Sequence, residues 1–212
     1  MVRNAWLPLL CSVIACFLVW RGADHVQWGT ETSSPTLTIN HLVASISGQT
    51  HSAASSEEPP TGTAVTTNEA LAFIDLPGVS RATLGKHWTR LKPLEQDEFI
   101  ALFAQLLIHV AFPQLSTFFR QLEVTITDER IRGHKATVTT YLKHAKEGQI
   151  DIDYHLVRQD SGWLIRDIEL DGVSLSRNLR AQFQQIIRND SYAALLRRMR
   201  EKLVLATMRT AS

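Results

Sequence analysis

The pair Asp171-Gly172 constrains this chain more than any other feature. Glycine reaches φ > 0 without steric penalty, so the pair predicts a tight corner. Before it, Trp163, Ile165 and Ile168 are aromatic or β-branched and predict a strand with a half-buried face. After it, Ser174 or Ser176 is placed to cap free N–H groups. Leu179, Phe183, Ile186 and Ile187 then follow at helical spacing. The stretch therefore predicts a strand, a corner and a helix folded back on the strand's own sheet.

The elements upstream fit that joint. Residues 68–88 predict two helical pieces broken near Pro77-Gly78. Pro93 opens a longer helix, where proline is tolerated, and Glu95, Asp97 and Glu98 complement its dipole. Phe99, Leu102, Phe103, Leu106, Leu107 and Val110 form one broad apolar stripe that Pro113 is expected to end. A further short helix is expected over 114–122. Strands follow at Val124 and Ile126, then at Ala136, Val138, Thr140 and Leu142. The clearest is Ile150, Ile152, Tyr154 and Leu156, alternating with Asp151, Asp153 and His155: one dry face and one wet. Gly148 and Asp160-Ser161-Gly162 supply turns, so the strands read as a meander. Ser191 then caps a last helix with Tyr192, Leu195, Leu196, Met199 and Leu203 on one side and Arg197, Arg198, Arg200 and Lys202 on the other. Helices, about four antiparallel strands, then helices again define an α+β fold. A curved antiparallel sheet packed under several helices resembles the nuclear-transport-factor-like or cystatin-like half-cone, which implies a cavity between sheet and helices.

The N-terminal part reads differently. Ala5 to Trp20 is almost wholly apolar after a start carrying Arg3, the pattern of an export signal. Residues 1–23 are therefore expected to be a signal peptide, with an uncleaved anchor and a lipoprotein as second and third readings. Residues 24–67 are rich in Ser, Thr, Pro, Gly and Ala and predict a disordered linker. Within them, residues 37–46 show period-two character. The folded domain is expected over 68–206, with a flexible tail at 207–212.

Composition excludes several function classes. A formal net charge of +1 gives no global field for nucleic acid. The 2 cysteines, Cys11 and Cys16, lie in the apolar N-terminus, which leaves the expected domain without thiol chemistry. No His-Glu-x-x-His helix, phosphate-cradling glycine loop or Gly-x-Ser-x-Gly elbow is present. Asp151 and Asp153 read as solvated charges. Asp167, between Ile165 and Ile168, is the carboxylate expected to be partly buried and so to need a partner. Arg180 or the Ser174 hydroxyl supplies one in a structural reading of the corner; the alternative is an Asp167 general base in an enzyme of this fold shape. The basic side of the last helix is a solvated face or a surface for anionic head groups or an acidic partner.

Two motifs carry a resemblance to a known family. Trp163, Asp167, Gly172-Val173-Ser174, Asn178, Arg180 and Phe183 resemble the signature of the MlaC / toluene-tolerance family. Leu84-Gly85-Lys86-His87-Trp88, followed by Phe99 and Phe103, resembles its upstream motif. The likeness covers roughly residues 70 to 205. It implies a periplasmic lipid carrier that shuttles phospholipid between the outer membrane and an inner-membrane ABC transporter, with those two membrane complexes as partners and no cofactor. A hopanoid-associated relative of the HpnM type is the alternative within the family; an enzyme using Asp167 and a filled-core interaction domain are the alternatives outside it. The resemblance also implies N-terminal helices where the composition reads as linker.

On that resemblance the apolar surplus becomes a lining for acyl chains. From the helices it takes Trp88, Phe99, Phe103, Leu106, Leu107, Val110, Phe183 and Ile187. From the strands and corner it takes Val138, Ile152, Tyr154, Leu156, Trp163, Ile165 and Val173. Asp167, Gly172, Ser174 and Arg180 are then the structural corner. An acyl chain of ~16 carbons, at ~0.8 kcal/mol per CH₂, exposes apolar surface worth on the order of 12 kcal/mol in water. A carrier that encloses the tails removes that barrier and needs no covalent chemistry.

Overall fold

A computed structural model describes residues 34–47, 69–119, 123–144 and 148–210. The expected signal segment 1–23 lies outside the described residues, as does most of the expected linker.

The linker is nonetheless interrupted by structure. Helix α1 spans Pro35–Ser47. Ser34 caps it: the Leu37 N–H donates to Ser34 Oγ at 3.2 Å, and Pro35 takes the first position, where its missing N–H is harmless. Ile39, Leu42 and Ile46 are buried, whereas Leu37 is 49% exposed. The period here is helical, and the alternation over 37–46 misled because β-branched Thr38 and Ile39 favour strands only when no helical face is being buried. The helix also agrees with the N-terminal helices that the family resemblance implies.

By its contacts the chain forms two compact units. The sheet unit holds α1, a helical turn at 69–71, helix α4 (Phe112–Phe119) and strands β1 (Glu123–Arg132), β2 (Lys135–His144), β3 (Gly148–Gln159) and β4 (Gly162–Leu170). The sheet order is β1-β2-β3-β4-β5, the fifth strand being only Val173–Ser174. Consecutive antiparallel pairing makes it the expected meander. Ala136, Val138, Thr140 and Leu142 are all buried, as are Ile152, Tyr154 and Leu156 on the neighbouring strand. Helix α1 lies over this face against β2 and β4 and also meets α4. A β1 carboxylate, Glu129, accepts the Thr36 N–H at 2.9 Å and so completes the positive end of α1.

The helical unit holds α2 (Leu76–Leu84), a 3₁₀ segment (Gly85–Arg90), α3 (Pro93–Leu106), a π turn (Leu107–Ala111), α5 (Leu175–Asn189) and α6 (Tyr192–Thr210). The Lys92 N–H donates to the Glu95 carboxylate at 2.7 Å, which closes the first turn of α3. Ser174 caps α5 by accepting the Arg177 N–H at 3.1 Å, and Ser191 caps α6 by accepting the Ala194 N–H at 3.0 Å.

Three local expectations change. Pro77 and Gly78 lie inside the first turn of α2 and do not break it, because a proline there removes no helical hydrogen bond. The break falls earlier, where 73–75 runs extended beside β4. Pro113 does not end the helical run: the π turn directly before it widens the backbone, the usual accommodation for an internal proline. Helix α6 continues to Thr210, so the expected tail is helical over most of its length. Among the described residues one stretch, Pro93–Ser116, is long and apolar enough to cross a membrane by composition. Phe99, Leu102, Phe103 and Leu106 within it are buried in protein, as in a core helix.

Candidate functional site

Each unit has its own apolar interior, and the expected lining residues divide between them. In the helical unit, residues three and four apart on α3 bring Phe99, Leu102, Phe103 and Leu106 to one side, and Val110 follows from the π turn. They meet Trp88 of the 3₁₀ segment, Leu179 and Phe183 of α5, and Leu195 and Met199 of α6. The Phe99 ring stacks on Phe103 at 6.0 Å and meets Phe183 edge-on at 6.1 Å, both favoured aromatic geometries. Leu107 and Ile187 pack against this cluster while half-buried.

In the sheet unit, Val138, Ile152, Tyr154, Leu156, Trp163 and Ile165 are all buried. One of them is polar. Burial pushes the Tyr154 hydroxyl up to about 12, against the opposing effect of its hydrogen bond to Thr140. It is therefore a neutral hydrogen-bonding group in a dry setting. An unfolded tyrosine ionises near 10.0, so the contribution of Tyr154 to stability is intact below that pH and is lost as pH rises through about 12. The urea midpoint of the protein is expected to fall more steeply across this window than that of Tyr154→Phe; parallel profiles would contradict the assignment.

The corner has the geometry its sequence announces. Asp171 has φ +46 and Gly172 φ +79, the pair of positive values that a primed hairpin turn needs. Asp171 also fixes the corner to β3: its N–H donates to the Asp151 carbonyl at 2.9 Å, and its carboxylate accepts the Asp151 N–H at 3.1 Å. Val173, half-buried, follows directly. Ser174, not Ser176, is the cap, and the two hydroxyls lie 3.3 Å apart. Asp167 is half-buried, and its carboxylate accepts the Ile168 N–H at 2.9 Å.

Arg180 is placed by the other motif. Gly85 opens the 3₁₀ segment with φ +54, and a Cβ there would lie 2.5 Å from Arg180 Nε. The two stretches that carry the family resemblance thus meet, with a guanidinium stacked over a bare backbone. Gly85→Ala is expected to cost about 1 kcal/mol for the left-handed backbone and more for displacing Arg180. In Gly85→Ala/Arg180→Ala the steric part vanishes. Chemical denaturation should therefore give a double-mutant loss smaller than the sum of the singles; strict additivity would show that the two do not touch.

Among the described residues the buried carboxylate is Asp75, which local sequence patterns do not single out. Asp75 is 3% exposed, and its Oδ2 accepts two N–H groups of Arg166, from Nε at 2.7 Å and from a terminal guanidinium nitrogen. A bulge makes this possible. Leu156 pairs with Ile165 and His155 with Asp167, which leaves Arg166 as the extra residue. The bulge explains why Ile165 and Ile168, three apart, belong to the same face. It also turns Arg166 toward 73–75, where the Asp75 N–H donates to the Ile165 carbonyl and the Ile165 N–H to the Phe73 carbonyl. The signal was present as Ile-Arg-Asp-Ile, an apolar spacing that a strand of period two cannot satisfy.

Chemically, both interiors are mainly apolar. The polar side chains of β2, β3 and β4 gather on the other face of the sheet, where Thr139 donates to Asp153 at 2.6 Å and His155 meets Glu169 at 3.3 Å. Among the described residues no cluster of His, Cys, Asp or Glu is arranged to hold a metal ion. A groove of about 430 Å³ among the described residues is open and lined by Gln182, Gln185, Ile186, Asn189, Asp190 and Arg198. It involves none of the expected lining side chains.

Fold and site together define an α+β protein in which an antiparallel meander and a helical unit each have a mainly apolar interior. The family model for MlaC protein matches residues 40–201. The chain belongs to the MlaC family. Among solved structures it is similar to the phospholipid-binding protein from Ralstonia solanacearum, which was determined in complex with a phospholipid. The TM-score is 0.63 at 19% identity, with 81% of this chain and 96% of that chain covered. No curated protein matches the chain.

Proposed function

We propose that this chain is a periplasmic phospholipid carrier that takes up acyl chains against its apolar side chains and leaves the head group in water. The observation that carries the reading is membership of the MlaC family across residues 40–201. The similar fold of a protein solved with a phospholipid supports it. So does the character of the two interiors, whose only titratable member among the expected lining, Tyr154, stays neutral. Recognition of tails by such surfaces is non-directional, so selectivity among head groups should be low. The carrier would exchange lipid with an inner-membrane ABC transporter and an outer-membrane complex, with direction supplied by the ATPase. No step calls for covalent catalysis, and Asp167 has a local role at the β4 bulge.

Brominated acyl chains quench tryptophan fluorescence only at short range, which makes Trp88 and Trp163 internal reporters of the two lining sets. Loading the protein with a brominated phosphatidylglycerol is expected to quench its emission, and Trp88→Phe and Trp163→Phe should each remove part of that quenching. If the quenching is unchanged in the double variant, neither set touches the tails and the proposed lining is wrong.

A further inference from the structure

The near-neutral net charge conceals a division between the units. Among the described residues of the helical unit, Lys and Arg outnumber Asp and Glu by more than two to one; in the sheet unit the acids are in excess. Helix α6 carries five of these cations, Arg197, Arg198, Arg200, Lys202 and Arg209. Its inward face holds Leu195, Leu196 and Met199, all buried. Its outward face ends in three large apolar side chains open to solvent: Val204 at 47%, Leu205 at 56% and Met208 at 63% exposure. Spaced one, three and four apart, they share one side of the helix. Lys202 and Arg209 flank them, with Arg198 a turn earlier. Arg198 pairs with Asp190 at 2.6 Å and Arg200 with Glu98. Arg209 has no ion-pair partner among the described residues.

Apolar groups bordered by cations at a helix end are the chemistry of an anionic bilayer surface. The apolar side chains enter the head-group boundary while lysine and arginine meet phosphates. A basic protein partner fits this patch poorly, and an acidic one would leave the three apolar side chains without a matching contact. We infer that the last two turns of α6 dock the protein on anionic lipid bilayers. This goes beyond the carrier reading and does not depend on what the apolar interiors hold.

The test places an environment-sensitive nitrobenzoxadiazole label at Leu205→Cys in a Cys11→Ser/Cys16→Ser background. A control label sits at Asp160→Cys, in the β3–β4 turn. Vesicles of phosphatidylcholine alone or with phosphatidylglycerol are then added. The expected result is a blue shift at position 205 with the anionic vesicles only, reversed by high salt, and none at position 160. Lys202→Gln/Arg209→Gln should weaken the association roughly thirty-fold. Position-specific labelling reports burial at position 205 itself, not attachment of the protein through the apolar run at residues 5–20. Absence of a shift with anionic vesicles overturns the inference, as does an equal shift with neutral ones or indifference to the charge variant. A label already blue-shifted without vesicles also overturns it, because the patch is then covered by the protein itself or by a second copy. Unfolding midpoints of the labelled proteins establish that each is folded. Bound lipid measured on the same samples keeps failure of the carrier reading distinct.

Discussion

Arg166→Ala is expected to destabilise the protein by about 3 kcal/mol, read as a fall in the urea midpoint with an unchanged slope. The reason is what it leaves behind. Asp75 is almost wholly enclosed, its side chain 4% exposed, while the Arg166 side chain is 45% exposed. Removing the arginine takes two charge-assisted N–H bonds away from a carboxylate that is enclosed in the native protein, and breaking a buried pair from one side costs about 3–5 kcal/mol. The exposure of Arg166 places the loss at the lower end. Asp75→Asn/Arg166→Ala should recover part of it, since the buried negative charge is gone. Arg166→Lys should recover less, because one ammonium cannot reproduce two guanidinium N–H bonds to a single oxygen. An Arg166→Ala midpoint equal to that of the native protein would mean that the pair only decorates the bulge and that 73–75 is held by its other contacts, the backbone bonds to Ile165 and the Phe73–His41 ring contact among them.

Phe103→Ala is expected to be costlier, about 3–5 kcal/mol. The ring is 2% exposed and stacks on Phe99, itself fully buried and edge-on to Phe183. Truncation removes the transfer energy of a phenyl group, leaves a cavity between α3 and α5, and breaks an aromatic pair. The comparison that bears on function is between lipid-loaded and lipid-stripped protein. A ring that belongs solely to the core costs the same in both. A ring that also touches an acyl chain costs more in the loaded form, because truncation weakens the bound lipid's contribution to stability as well. Equal losses would remove Phe103 from the lining and leave it a core residue.

Much of this architecture is legible in the sequence because it rests on local rules. The meander follows from the alternation at 136–142 and 150–156, where each strand has one dry face. The corner follows from Asp171-Gly172, whose positive φ values few other pairs tolerate. The cap at Ser191 follows from a hydroxyl placed before an apolar periodic run, and the same rule narrows the earlier cap to Ser174 or Ser176, of which Ser174 serves. What the sequence hid depends on tertiary partners. Helix α1 is short, Thr-rich and surrounded by polar sequence, and its stripe of Ile39, Leu42 and Ile46 has meaning only once a sheet is there to cover. The Asp75–Arg166 pair joins residues 91 apart in sequence, and only a bulge reveals it. Asp167 sits between two isoleucines, a position that suggests burial; the bulge at Arg166 accounts for it with a half-buried side chain.

The same distinction applies to the lining. Burial of Trp88, Phe99, Phe103, Phe183 and their neighbours is what an ordinary core also shows, and periodicity cannot separate a side chain that packs on protein from one that packs on a guest. Mass spectrometry of an organic extract of the purified protein separates them most directly. Phospholipid close to one molecule per protein chain, retained through gel filtration and lost on unfolding, is the expected result. Protein that is folded, stable and free of lipid, and that acquires none from phospholipid vesicles, would contradict the carrier account.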